Sequence, residues 1–116
     1  MTEQQFNDNL KQFTGTESYY KHTLGLIFTD GVKWCVDDVC SCYWLLDILG
    51  SYQYQLEKEE FQVWQLKKTG ESKAIVTCED GNKNELICQE ISFTDFPFSK
   101  LTFWCIDRVV MLPTEY

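Results

Sequence analysis

Phe61-Gln62-Val63-Trp64-Gln65-Leu66-Lys67, a turn at Thr69-Gly70-Glu71-Ser72, and Ala74-Ile75-Val76-Thr77-Cys78-Glu79 form the stretch that decides the fold. Short runs rich in β-branched and aromatic residues, bounded by Gly, Ser, Asp and Asn, read as strands joined by tight turns. Asp80-Gly81-Asn82-Lys83 is a second strong turn cluster. It leads into a third strand, Glu85 to Phe93, with Ile87 and Ile91 on one face and Leu86 and Cys88 on the other. Asp95-Phe96-Pro97 breaks the pattern, and Leu101 to Ile106 with Val109 to Leu112 form a last hairpin around Asp107-Arg108. Sequential strands joined by short turns predict an antiparallel meander of four to five strands.

Upstream the period changes. Thr2 and Gln5 fit a capping box, and Phe6, Leu10 and Phe13 follow on one helical stripe, with Gly15 placed to end it in a left-handed conformation. Thr16 to His22 has no clear period, and a short extended piece spans Leu24 to Phe28. Thr29 or Asp30 caps a short helix carrying Val32, Cys35, Val36 and Val39. Strand alternation of Val32, Trp34 and Val36 competes with that reading. Ser41 is placed as the cap of a longer helix, Cys42 to Tyr54, with Trp44, Leu45, Ile48, Leu49 and Tyr52 on one face. Gly50 within it marks close packing or a bend. Helices first and strands later predict an α+β domain over residues 1–116, its N-terminal helices packed on the C-terminal meander.

The chain has 116 residues, 44% hydrophobic and 16% aromatic, enough for one packed core and no linker. A formal net charge of −8, with Arg108 the sole arginine, argues against direct nucleic-acid binding, since phosphate contacts need Lys and Arg. No apolar stretch approaches the roughly 20 residues of a membrane span, and the polar start Met1-Thr2-Glu3 does not read as a secretion signal. The expected location is the cytoplasm. There the six cysteines (Cys35, Cys40, Cys42, Cys78, Cys88, Cys105) stay reduced, and those in strand patterns act as small hydrophobes. Cys35, Cys40 and Cys42 are spaced C-x4-C-x-C, which is no standard zinc pattern, so neither a metal nor a cofactor is expected.

Several motifs occur together: Phe13-Thr14-Gly15-Thr16-Glu17-Ser18-Tyr19-Tyr20-Lys21-His22, Phe28-Thr29-Asp30-Gly31, Tyr43-Trp44-Leu45-Leu46-Asp47, Phe93-Thr94-Asp95-Phe96-Pro97 and Leu112-Pro113-Thr114-Glu115-Tyr116. Their order and spacing resemble a family of small bacterial and bacteriophage proteins classed as a domain of unknown function. The resemblance implies a bacterial, phage or plasmid origin and no particular activity.

Chemistry-bearing residues are few. A nucleophile at Cys35, Cys40 or Cys42 would have to use His22, the one histidine, as its base, with Asp30 or Asp47 as orienter. The Thr-Asp pairs at Thr29-Asp30 and Thr94-Asp95 are read first as caps and turns. Tyr and Trp are enriched at interface hot spots, and Tyr19, Tyr20 and Tyr116 lie outside the periodic faces. The expected function is a non-catalytic protein-interaction module of a phage or mobile element, binding a host or phage protein. An anti-CRISPR-like inhibitor of a bacterial defence system is one version. Its candidate binding residues are Tyr19, Tyr20, His22, Asp30, Asp95 and Tyr116. Two alternatives are an enzyme or ligand-binding domain with His22, Asp30, Asp47 and Asp95 lining a cleft, and a homodimer formed through an edge strand at Val109–Leu112.

Overall fold

A computed structural model describes residues 1–116. One seven-stranded sheet runs through it: β1 (Tyr19–Lys21), β2 (Ile27–Thr29), β3 (Phe61–Lys68), β4 (Ala74–Glu79), β5 (Glu85–Ile91), β6 (Lys100–Ile106) and β7 (Val109–Met111). Their spatial order is β1-β2-β7-β6-β3-β4-β5. The expectation of a four- to five-stranded antiparallel meander is therefore corrected. Strands β3, β4 and β5 do form a meander, but β6 returns to the other side of β3, and β2 pairs with β7 in parallel. The two additional strands, β1 and β2, are a hairpin from the N-terminal half. Each has three residues, too few to display a period, and each exists because a partner strand satisfies its backbone groups.

That placement also moves β7 off the edge. It lies between β2 and β6, so the edge strands are β1 and β5, and Val109–Met111 offers no free backbone for strand addition. The β6–β7 turn holds Asp107 at φ 51° and Arg108 at φ 65°. Positive φ at both central residues is what a type I′ hairpin requires, and its twist matches the flanking strands.

The helices are shorter than their patterns. Helix α1 (Glu3–Leu10) has its Thr2–Gln5 capping box but stops well before Gly15, which is not left-handed. Helix α2 (Asp30–Lys33) starts at the Thr29 cap and widens into a π-helical turn over Trp34–Val39, so the helical reading prevails over strand alternation. Helix α3 (Trp44–Ser51) does not begin at Ser41. Ser41 has φ 48°, whereas an N-cap residue is extended, so Ser41 separates the π turn from α3 instead of capping it. Gly50 does mark close packing: a Cβ there would sit 2.9 Å from Leu24 Cβ.

One core joins the layers. The inner sheet face contributes Trp64, Leu66, Val76, Phe103, Cys105 and Val110, and the helical layer Phe6, Val32, Val36, Leu45, Leu46 and Leu49. Burying each such side chain stabilises by about 1.5–3 kcal/mol. Phe6 anchors α1, stacking on Phe98 with ring centroids 4.2 Å apart and on Trp34 at 5.6 Å. No helix is long and apolar enough to cross a membrane.

Candidate functional site

The candidate residues fall into separate surroundings. Asp30, first in α2, turns its carboxylate back on the preceding loop. It accepts hydrogen bonds from the backbone N–H of Glu17 (3.0 Å) and Ser18 (3.3 Å) and from the Tyr20 hydroxyl (3.0 Å). Its own N–H donates to Thr16 Oγ1 at 2.9 Å. The Glu17 N–H, with the Tyr20 and Ser18 donors, holds the Asp30 carboxyl below its ordinary pKa, against the opposing effect of burial. The hydrogen bond it donates to this carboxylate pushes the Tyr20 hydroxyl upward. Asp30 and Tyr20 thus fasten the Thr16–Ser18 loop, and their polar atoms are engaged within the chain.

His22 closes the β1–β2 hairpin. Its Nδ1 accepts from Leu24 N–H at 3.1 Å, so the ring proton sits on Nε2, which donates to Asp47 Oδ1 at 2.6 Å. The imidazole is fully buried while Asp47 is largely exposed. Both ring nitrogens are occupied, and neither is left to act as a base toward a cysteine. Burial pushes the Cys35 thiol up and likewise raises Cys78 and Cys105 to about 12, whereas the hydrogen bond between Cys40 and Cys42 lowers Cys40 and raises Cys42. Cys35, Cys42, Cys78 and Cys105 are the reverse of activated nucleophiles, and Cys40 is buried with no histidine nitrogen free to serve it. All six cysteines are unbridged, five buried and Cys88 exposed on edge strand β5.

Asp95 is exposed on the loop before β6 and joins neither cluster, while the neighbouring Thr94 Oγ1 accepts from Phe96 N–H at 3.1 Å to shape the turn. Asp30, Asp47 and Asp95 therefore line no common cleft, and no three His, Cys, Asp or Glu side chains gather as a metal site would require.

Tyr19 and Tyr116, 97 positions apart in sequence, do come together. They bound a shallow groove of about 470 Å³ with Ile27, Ile106, Val109 and Met111, all six apolar or aromatic. Tyr19 is 62% and Tyr116 81% exposed. The groove lies on the sheet face away from the helices. Trp104 extends it: its ring meets Tyr116 edge-on at 5.7 Å and Phe61 at 5.1 Å. Tyr20 points to the other side, its ring 5.5 Å from Phe28.

Tyr116 is held by its neighbour. Glu115 accepts from Thr29 Oγ1 (2.6 Å), Leu112 N–H (2.9 Å) and Gly31 N–H (3.1 Å). The Thr29-Asp30-Gly31 and Leu112–Tyr116 motifs are thus partners of each other. Gly31 lets the two motifs approach closely: a Cβ would lie 2.6 Å from Leu112 Cδ1 and 2.8 Å from Glu115 Oε1, so both side chains would have to shift. Both motifs are visible in the sequence, but nothing in it joins them. Equally silent there is the buried amide pair Gln53–Gln62, whose two mutual bonds are 2.9 and 3.1 Å and whose Gln62 Oε1 also accepts from Trp64 Nε1 at 2.9 Å. Every polar atom of that network is satisfied internally, so it ties α3 to β3 and leaves nothing for a ligand.

No curated protein and no solved structure matches the chain. A family model matches residues 4–116. The chain accordingly belongs to DUF6876, a family of unknown function.

Proposed function

We propose that the chain is a non-catalytic protein-interaction module of a phage or mobile element, working in the cytoplasm, whose uncovered sheet face takes another protein, from the host or the phage. The observation that carries this reading is the groove of Tyr19, Ile27, Ile106, Val109, Met111 and Tyr116, continued by Trp104. Contiguous exposed apolar surface of this kind marks interaction sites, and Tyr and Trp are the residues that dominate them. The phage or mobile-element setting rests on the resemblance of the sequence motifs. An anti-CRISPR-like inhibitor of a bacterial defence system is one use of such a module. What favours that use is a cleft of about 530 Å³ where Glu57, Glu59, Glu60 and Asp107 outnumber Arg108, a shape and charge suited to a basic partner.

Capture with tagged protein from bacterial cells, with and without nuclease, tests the reading. A stoichiometric protein that survives nuclease and is lost with Tyr19→Ser/Tyr116→Ser is the expected result. Both side chains are largely exposed, so the double variant keeps the core. No captured protein, or capture indifferent to the double variant, overturns the reading.

A further inference from the structure

Half of the cysteines are gathered by one short stretch of unusual backbone. Cys35, Cys40 and Cys42 are 0%, 5% and 1% exposed. After α2 the chain widens into the π-helical turn Trp34–Val39. There the Cys40 N–H donates to the Cys35 carbonyl oxygen and the Cys42 N–H to that of Val36, both at 2.9 Å. Such turns are rare and occur frequently at functional sites. Ser41 follows in the left-handed region, at φ 48°. A non-glycine residue stays there only where its surroundings impose it, and such residues cluster at functional sites. What the geometry achieves is the pairing of two thiols. Residues two apart are separated by at most about 7 Å. A left-handed residue between them shortens that span into the roughly 4.4–6.8 Å between Cα atoms that a disulfide takes. The Cys42 thiol already donates a hydrogen bond to Cys40 Sγ. Core packing asks only for small apolar side chains at these positions, not for two thiols in contact across a left-handed residue.

We propose that Cys40 and Cys42 are a redox-active dithiol, closed to a reversible disulfide by a low-molecular-weight disulfide. Cys40 Sγ, as thiolate, attacks one sulfur of the small molecule, whose S–S bond breaks and releases one small thiolate. Cys42 Sγ, its proton released to solvent, then attacks Cys40 Sγ. The mixed disulfide breaks and the second small thiolate leaves. The two cysteines lose two electrons, and one small disulfide becomes two thiols. Cys40 is the attacking group because it is the least covered of the three and because the hydrogen bond from Cys42 favours its thiolate. That same bond is the leading cause that raises Cys42. Capping Cys40 removes it, so Cys42 becomes the better nucleophile at the step that needs it. Residues 40–43 belong to neither the π turn nor α3, and local opening of such a link admits a small reagent. Disulfides of this kind in the cytosol are transient and catalytic or redox-sensing.

Glutathione disulfide tests the proposal on the full chain carrying Cys88→Ser, which removes the one exposed thiol. The folded protein is held in the reagent, unfolded in an alkylating agent and weighed by mass spectrometry. The expected result is the loss of two free thiols with no glutathione retained, and the return of both under dithiothreitol. Reduction and a second alkylating agent of different mass then place the second label on Cys40 and Cys42, and the first on Cys35, in the tryptic peptide of residues 34–58. Cys42→Ala is expected to stall with one glutathione on Cys40, and Cys40→Ala to keep all its thiols. Circular dichroism checks that these two variants are folded; should either not be, the two-label map of the parent still decides. Thiols that stay free in the folded chain, or react only once it is unfolded, overturn the proposal. So do a disulfide that uses Cys35, a glutathione that stays on the parent, and closure in Cys40→Ala.

Discussion

The two faces of the sheet use the same kinds of residue to different ends. In β6, Leu101, Phe103 and Cys105 point inward and are buried, while Thr102, Trp104 and Ile106 alternate outward and are half-covered. Strand β3 repeats this, with Gln62, Trp64 and Leu66 inside and Phe61, Val63 and Gln65 outside. An antiparallel sheet with one solvated face usually alternates apolar with polar. Here the outer face is apolar at one end of its strands and polar or charged at the other. Period two alone assigns residues to faces. Which face is covered depends on where the helices go, and the helices here cover only one.

Neighbouring residues of β6 give the sharpest contrast. Phe103→Ala empties a fully buried site and is expected to cost about 3–5 kcal/mol of stability. Trp104→Ala removes a larger side chain that stays partly exposed on the outer face, and is expected to cost less, about 2 kcal/mol. Chemical denaturation checks both. Equal costs would break the distinction between the faces.

Glu115→Gln probes the latch that carries Tyr116 to the open face. The amide keeps one oxygen for Thr29 and Leu112 but turns an NH2 group toward the Gly31 N–H, leaving that donor unsatisfied. The expected loss is about 1–3 kcal/mol. Release of Tyr116 from the Trp104 ring changes the tryptophan fluorescence at the same time. Gly31→Ala reaches the same latch from the other side, since its Cβ would occupy the space of Leu112 and Glu115. A loss of stability with unchanged fluorescence in both variants would show that Tyr116 is held by other contacts.

The legible parts of the fold were those decided locally. Strands β3, β4 and β5 announce themselves because eight, six and seven residues suffice to show a period and the intervening turns carry Gly, Asp and Asn. The Thr2–Gln5 and Thr29 caps were legible for the same reason. What sequence could not show was long-range. Strands β1 and β2 are strands because β7 arrives alongside β2, some eighty residues later along the chain. Glu115 reads as an ordinary surface acid until Thr29 is beside it. At the site, residue type was readable and direction was not. Tyr19 and Tyr116 share the open face, whereas Tyr20, one position along a strand from Tyr19, must point to the opposite side. His22 and Asp30, read as binding residues, have their polar atoms taken by Leu24, Asp47, Glu17, Ser18 and Tyr20.

The smallest expected effect concerns Asp30, on the covered side. Its carboxyl is depressed in the folded chain by the Glu17 N–H and the other donors around it. A depressed folded pKa means that the unfolded chain binds the proton more readily, so stability rises with pH across the interval between the two values. The contribution is complete above the ordinary aspartate value and is lost as pH falls through the folded one. Asp30→Asn removes this dependence. Its melting temperature is expected to fall less steeply on acidification than that of the wild type, with a modest deficit near neutral pH where the carboxylate would be charged. Because the Thr16–Ser18 loop leads directly into Tyr19, the same variant is also expected to loosen one wall of the open groove. Identical acid limbs for the two proteins would show that the Asp30 cluster positions the loop without storing any pH-dependent stability, and would leave Glu115 as the carboxylate that links the covered side to the open face.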